Sequence, residues 1–76
     1  MDSDSLSNIK LAFGSRLREF RNKLCLSQEG LALACELDRT YIGGVERGER
    51  NISLINIVRI ARALDVPPEK LLEGVK

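Results

Sequence analysis

Arg39, Thr40, Tyr41, Arg47, Arg50 and Asn51 gather hydrogen-bond donors into one short stretch, with the carboxamide of Gln28 a little upstream. An arginine offers two parallel N–H groups that match O6 and N7 of guanine, or two phosphate oxygens. A threonine offers a hydroxyl to a base edge and a methyl to thymine. The chemistry within reach is recognition of double-stranded DNA. Bond-making chemistry has little to draw on, since the chain has no histidine, no glycine-rich phosphate loop and no clustered carboxylates. Cys25 and Cys35 have no evident base to activate them and are too few to hold a metal. Both read as core or near-core thiols. No enzyme activity, cofactor, metal or small-molecule ligand is expected.

These donors need a frame, and the flanking residues supply one. Ser27 is a good N-cap ahead of Gln28 and Glu29, and Leu31, Ala32 and Cys35 follow at helical spacing. After Leu37, Asp38 can cap a second helix of about three turns that buries Ile42 and Val45. It stops at Gly48, a residue suited to the left-handed position past a helix end. Two short helices joined by a tight turn over residues 27–47 have the layout of a helix-turn-helix reader. At about 100° per residue, the face opposite Ile42 and Val45 carries Thr40, Gly43, Gly44 and Arg47, with Arg39 and Tyr41 on the flanks. A recognition helix brings its N-terminal side chains to the bases, so Arg39, Thr40, Gly43 and Gly44 are assigned to base reading. Adjacent glycines inside a helix cost about 1 kcal/mol each relative to alanine. Close approach of the backbone to DNA is one reason to keep them; a short, poorly formed helix is the other.

The segment from Arg16 to Leu72 resembles the xenobiotic-response-element family, the helix-turn-helix group of phage Cro and repressor proteins. The resemblance rests on an arginine ahead of Ser27, Gln28, Leu31 and Ala32, an apolar turn residue, and the run Glu46-Arg47-Gly48. Residues 37–57, LDRTYIGGVERGERNISLINI, are similar nearly throughout to the controller proteins of restriction-modification operons. The resemblance implies that Gln28 contacts a phosphate, reinforced by backbone N–H groups at that helix end. It places Tyr41, Arg47, Arg50 and Asn51 along the DNA backbone. It also pairs Arg21 with Glu46 in a partly buried salt bridge tying the first helix to the recognition helix. Duller readings stand beside two of these: an exposed first-turn glutamine at Gln28 and a solvated tyrosine at Tyr41. One departure is visible at Glu36, where the family usually has glycine. A glutamate held there at positive φ carries strain of about 1 kcal/mol or more.

With 12 Lys plus Arg against 11 Asp plus Glu among 76 residues, the net charge is only +1, so any DNA affinity must come from local placement of cations. Residues 1–76 read as one all-α domain, a compact lambda-repressor-like bundle of about five helices, small enough to gain from oligomerisation. Without a spanning apolar stretch or secretory signal, the cytoplasm is the expected compartment and no membrane partner is expected. Residues 1–5 read as a partly disordered polar lead, with N-cap candidates among Asp2, Ser3, Asp4 and Ser5. Leu6, Ile9, Phe13, Leu17, Phe20 and Leu24 then define one apolar stripe on a first helix. Ser53 can cap a fourth helix running to about Leu64, and Pro67 and Pro68 force a break before a short helix holding Leu71 and Leu72. On the fourth helix Ile55 and Val58 fall off the main stripe. With Ile52, Val66, Leu72 and Val75 they are assigned to a homodimer interface within dimerisation helices spanning residues 53–75; the alternative is that the last helix of the same subunit covers them.

Together these readings predict a sequence-specific transcription regulator that binds an inverted-repeat operator as a homodimer, with half-sites about 34 Å apart. As a controller protein it would govern a restriction-modification operon including its own promoter, with timed activation of an endonuclease gene followed by repression. Pairing of two dimers on DNA stays open, as does a contact between RNA polymerase and the exposed acid Glu29. The alternative is an antitoxin-type DNA-binding protein whose main role is to hold a partner protein. The short run after Leu71 and Leu72 leaves little chain to wrap such a partner, which favours the regulator.

Overall fold

Each of the three expected N-cap residues forms its cap. The hydroxyl of Ser27 accepts the N–H of Gly30 at 2.9 Å, the carboxylate of Asp38 accepts that of Thr40 at 2.7 Å, and Ser53 accepts that of Asn56 at 3.2 Å. The computed structural model describes residues 2–76 and has five helices: α1 Ser3–Lys23, α2 Gln28–Cys35, α3 Arg39–Glu46, α4 Leu54–Leu64 and α5 Pro68–Leu72. Among the described residues there is no strand, as the sequence reading requires. Met1, part of the expected disordered lead, lies outside the described residues. In the rest of that lead an expected N-cap candidate is used, and the correction is that the chain is already helical. Asp2 caps α1 by accepting the Ser5 N–H at 2.8 Å, and the helix starts at Ser3. With eight residues, α3 makes just over two turns rather than three.

The core joins Phe13 and Leu17 of α1, Leu31, Ala32 and Cys35 of α2, Ile42 and Val45 of α3, Ile60, Ala61 and Leu64 of α4, and Leu71 of α5. The apolar stripe of α1 is buried only in its middle; Leu6 and Leu24 are about half exposed. A helix of 21 residues overhangs partners of eight, which cannot cover both of its ends. Where α1 meets the end of α3, only Gly14 fits. A Cβ there would stand 2.5 Å from the carbonyl oxygens of both Val45 and Glu46. Burial pushes the Cys35 thiol above its ordinary pKa, but Cys25 is exposed, against expectation. It lies in the turn between α1 and α2 at φ 56°, beyond the reach of the core.

Among the described residues three non-glycines take left-handed backbone, each just past a helix: Cys25 after α1, Glu36 after α2 and Asp65 after α4. Glu36, at φ 59° and ψ 40°, closes α2 while the N–H of Leu37 reaches back to the Ala32 carbonyl at 2.9 Å. The positive φ that glycine would accept freely is therefore present, and a glutamate bears it. Glu36→Gly should raise the melting temperature by about 2–6 °C, since relief of left-handed strain exceeds the added freedom of the unfolded chain. A melting curve unchanged or shifted downward would show that the turn is not strained.

The last helix is tied down by a residue not singled out in the sequence. Arg16 donates from Nε and Nη2 to the Lys70 carbonyl at 3.2 and 2.7 Å, reaches Glu73 at 3.0 Å, and lies 4.8 Å over the Phe20 ring. With α5 held against α1, Ile52, Val66 and Val75 pack against their own core. Of the residues assigned to a dimer interface, Ile55 at 69% and Leu72 at 44% stay exposed, joined by Leu54 at 73%, while Val58 is half-buried. Three of the six are thus partly covered within the subunit.

Candidate nucleic-acid interface

At the N-terminal end of α3 the exposed side chains are Arg39 and Thr40. Among the described residues no carboxylate pairs with Arg39, and Asp38 beside it is occupied by the Thr40 N–H, which holds its pKa below the ordinary value. The guanidinium is free to meet an outside acceptor.

The open glycine face expected further along α3 is corrected. Gly43 and Gly44 are both buried. A Cβ on Gly43 would lie 3.0 Å from Nη1 of Arg47 and 3.3 Å from Oε1 of Gln28; one on Gly44 would lie 3.0 Å from Cγ of Arg50. Long polar side chains fold over bare backbone because nothing else fills the space. The two glycines form a trough that lets Gln28, Arg47 and Arg50 lie across the helix. All three are residues assigned to the DNA backbone, so the structure brings three of that set of five together.

Arg47 has a second partner, and of the rest of the set Tyr41 meets the trough through Arg50. Arg47 is held to Glu49 by two contacts of 3.0 and 3.2 Å, in an exposed pair. Tyr41 is not freely solvated: it is half-buried, its hydroxyl accepts Nδ2 of Asn56 at 3.2 Å, and Arg50 stands 5.8 Å from its ring centroid. Asn51 is exposed in the loop after α3.

Behind the trough lies a four-residue network. Glu46 has a fully buried side chain. Arg21 approaches it side-on, with Nε at 2.6 Å from Oε2 and Nη2 at 2.9 Å from Oε1, and gives Nη1 to the Leu26 carbonyl at 2.8 Å. Gln28 donates Nε2 to Oε1 at 3.2 Å, and Arg18 adds Nε at 3.4 Å. Burial pushes the Glu46 carboxyl up, but hydrogen bonds from Arg21 and Gln28 and the charge of Arg21 outweigh it and hold its pKa below the ordinary value. The same hydrogen bond raises the pKa of Arg21. The Arg21–Glu46 pair is as expected; Gln28 and Arg18 as its companions were missed. Arg18 and Arg21 sit one turn apart on α1, a spacing that could have flagged the second arginine.

An exposed donor-bearing helix end, held at an angle by α2 and backed by the core, defines a helix-turn-helix protein, and residues 17–71 match the helix-turn-helix family. The chain is 52% identical over 68 residues to control protein C.BamHI of Bacillus amyloliquefaciens, covering 88% of this chain and 84% of that one. The restriction-modification controller protein C.AhdI of Aeromonas hydrophila superposes with a TM-score of 0.81 at 56% identity, over 82% of this chain and 94% of that chain. The controller protein C.Esp1396I, solved as a tetramer with its natural 35-base-pair operator, matches with a TM-score of 0.79 at 30% identity, over 88% of each chain. The chain belongs to the helix-turn-helix family and, within it, to the control proteins of restriction-modification systems. Among the described residues no helix is long and apolar enough to cross a membrane.

Proposed function

We propose that this protein is a sequence-specific transcription regulator that binds an inverted-repeat operator as a homodimer and controls a restriction-modification operon, its own promoter included. It acts in the cytoplasm, by binding rather than by catalysis. The observation that carries the reading is the exposed, unpaired guanidinium of Arg39 beside Thr40, at the free end of a helix whose other face is core. Arg39 and Thr40 read base edges in the major groove. Gln28, Tyr41, Arg47, Arg50 and Asn51 hold the DNA backbone and set affinity more than sequence choice. To do so Arg47 and Arg50 swing off Gly43 and Gly44, which then lie bare against the duplex. Ile55, Leu72 and the half-buried Val58 form the centre of the dimer contact, and Ile52, Val66 and Val75 support it from beneath. The tetramer of C.Esp1396I on its operator supports two dimers side by side here as well. The exposed Glu29 at the start of α2 is the surface offered to RNA polymerase.

Fluorescence anisotropy on duplexes selected from a random pool tests this. A palindromic consensus bound by a dimer is expected, and Arg39→Ala should cost about 1–3 kcal/mol on that duplex and relax the preference at one base pair. Equal loss on every duplex would put Arg39 on phosphate. A pool without any enriched sequence, or a monomer by sedimentation at tens of micromolar, would overturn the regulator reading or its dimer.

A further inference from the structure

We infer that Arg18 of α1 is a further phosphate-binding residue, standing beside Gln28 where no motif of the chain assigns a DNA contact; the inference rests on the DNA-binding reading above. Glu46 is satisfied without Arg18. Arg21 supplies two contacts at 2.6 and 2.9 Å and Gln28 a third at 3.2 Å, whereas Arg18 reaches Oε1 only at 3.4 Å and only through Nε. Its side chain is 52% exposed, so the ion pair adds little to stability. Its two terminal amino groups have no acceptor among the described residues.

Arg18 and Gln28 converge on the same carboxylate oxygen, so the spare amino groups stand next to the carboxamide assigned to a backbone phosphate. Two arginines against one carboxylate leave one positive charge uncompensated at this spot, in a chain whose formal net charge is +1. The buried carboxylate does not repel a phosphate there, because Arg21 neutralises it and its oxygens are already occupied. It holds Nε of Arg18 instead, so the guanidinium fork loses less freedom on meeting two phosphate oxygens. The ligand is a phosphodiester of the duplex backbone, next to the one held by Gln28.

The test compares wild type with Arg18→Gln by anisotropy over a salt series, on the duplex selected from the random pool and on a scrambled duplex, with melting temperatures taken in parallel. The variant should bind both duplexes about tenfold more weakly. The slope of log K against log salt should be shallower by about 0.9, one phosphate contact fewer, with the melting temperature unchanged. Wild-type affinity and slope in the variant would overturn the inference. So would a lower melting temperature with an unchanged slope, which would make Arg18 structural, and so would a loss confined to the selected duplex, which would place it on a base. Failure of the wild type to bind either duplex would instead bring down the DNA-binding reading itself.

Discussion

Glu46→Ala should cost about 3–5 kcal/mol of stability, the loss expected when one partner of a buried ion pair is removed and the other is left uncompensated. In a domain of this size each kcal/mol moves the melting temperature by about 4–8 °C, so the fall should exceed about ten degrees. The structure gives the reason. The carboxylate is fully buried and gathers α1 through Arg18 and Arg21, α2 through Gln28, and α3 through its own backbone. Its loss strands Arg21, which is only 12% exposed. Arg21 also holds the Leu26 carbonyl, so the turn into α2 is disturbed as well. Sequence preference should change only after the fold is lost, and an unchanged melting temperature would show that the network contributes nothing. The same carboxyl fixes an acid limb. Its folded pKa lies below the ordinary 4.5, so its contribution is complete above that value and disappears as pH falls through the lower folded value. In wild type the melting temperature should drop along that limb; in a Glu46→Gln variant, this part of the drop should be missing.

Gly14→Ala should be the other large loss, about 3 kcal/mol or more. The added methyl would sit 2.5 Å from two carbonyl oxygens, and these belong to the backbone of α3 rather than to a side chain that can turn away. Overpacking that side chains can absorb costs about 1–3 kcal/mol, and a rigid helix end absorbs less. Relief requires α1 and α3 to separate, which also stretches the contacts of Arg21 with Glu46. Urea unfolding would measure it. A midpoint within experimental error of wild type would mean that the two helices can part without loss.

What the sequence made legible was local. Ser27, Asp38 and Ser53 cap because each is followed by a helix-forming stretch, and Gly48 takes its positive φ of 76° just past Arg47, the C-cap of α3. Periodicity found the core residues of α2 and α3 for the same reason. It failed where a side chain reaches far along the chain. Arg16 acts on Lys70 and Arg18 on Glu46, separations that no helical wheel contains. Gly14 looked unremarkable because its role is set by the backbone of another helix. The trough over Gly43 and Gly44 was misread as open, since a wheel gives the direction of a face but not what folds over it. Cys25 was placed near the core because two cysteines with no base or metal partners had no other evident role, whereas it lies exposed in the left-handed turn after α1. The candidate reading surface was therefore legible at Arg39 and Thr40, and the network supporting it only in part.

The left-handed residues Cys25, Glu36 and Asp65 bear on how long each molecule persists. Steric strain of about 1 kcal/mol at such a position raises the population of opened chains roughly fivefold. Degradation that acts on opened chains follows that population. None of the three is assigned to DNA or to a second subunit. Lifetime in the cell can therefore be adjusted at three turns without touching the residues assigned to DNA or to a second subunit.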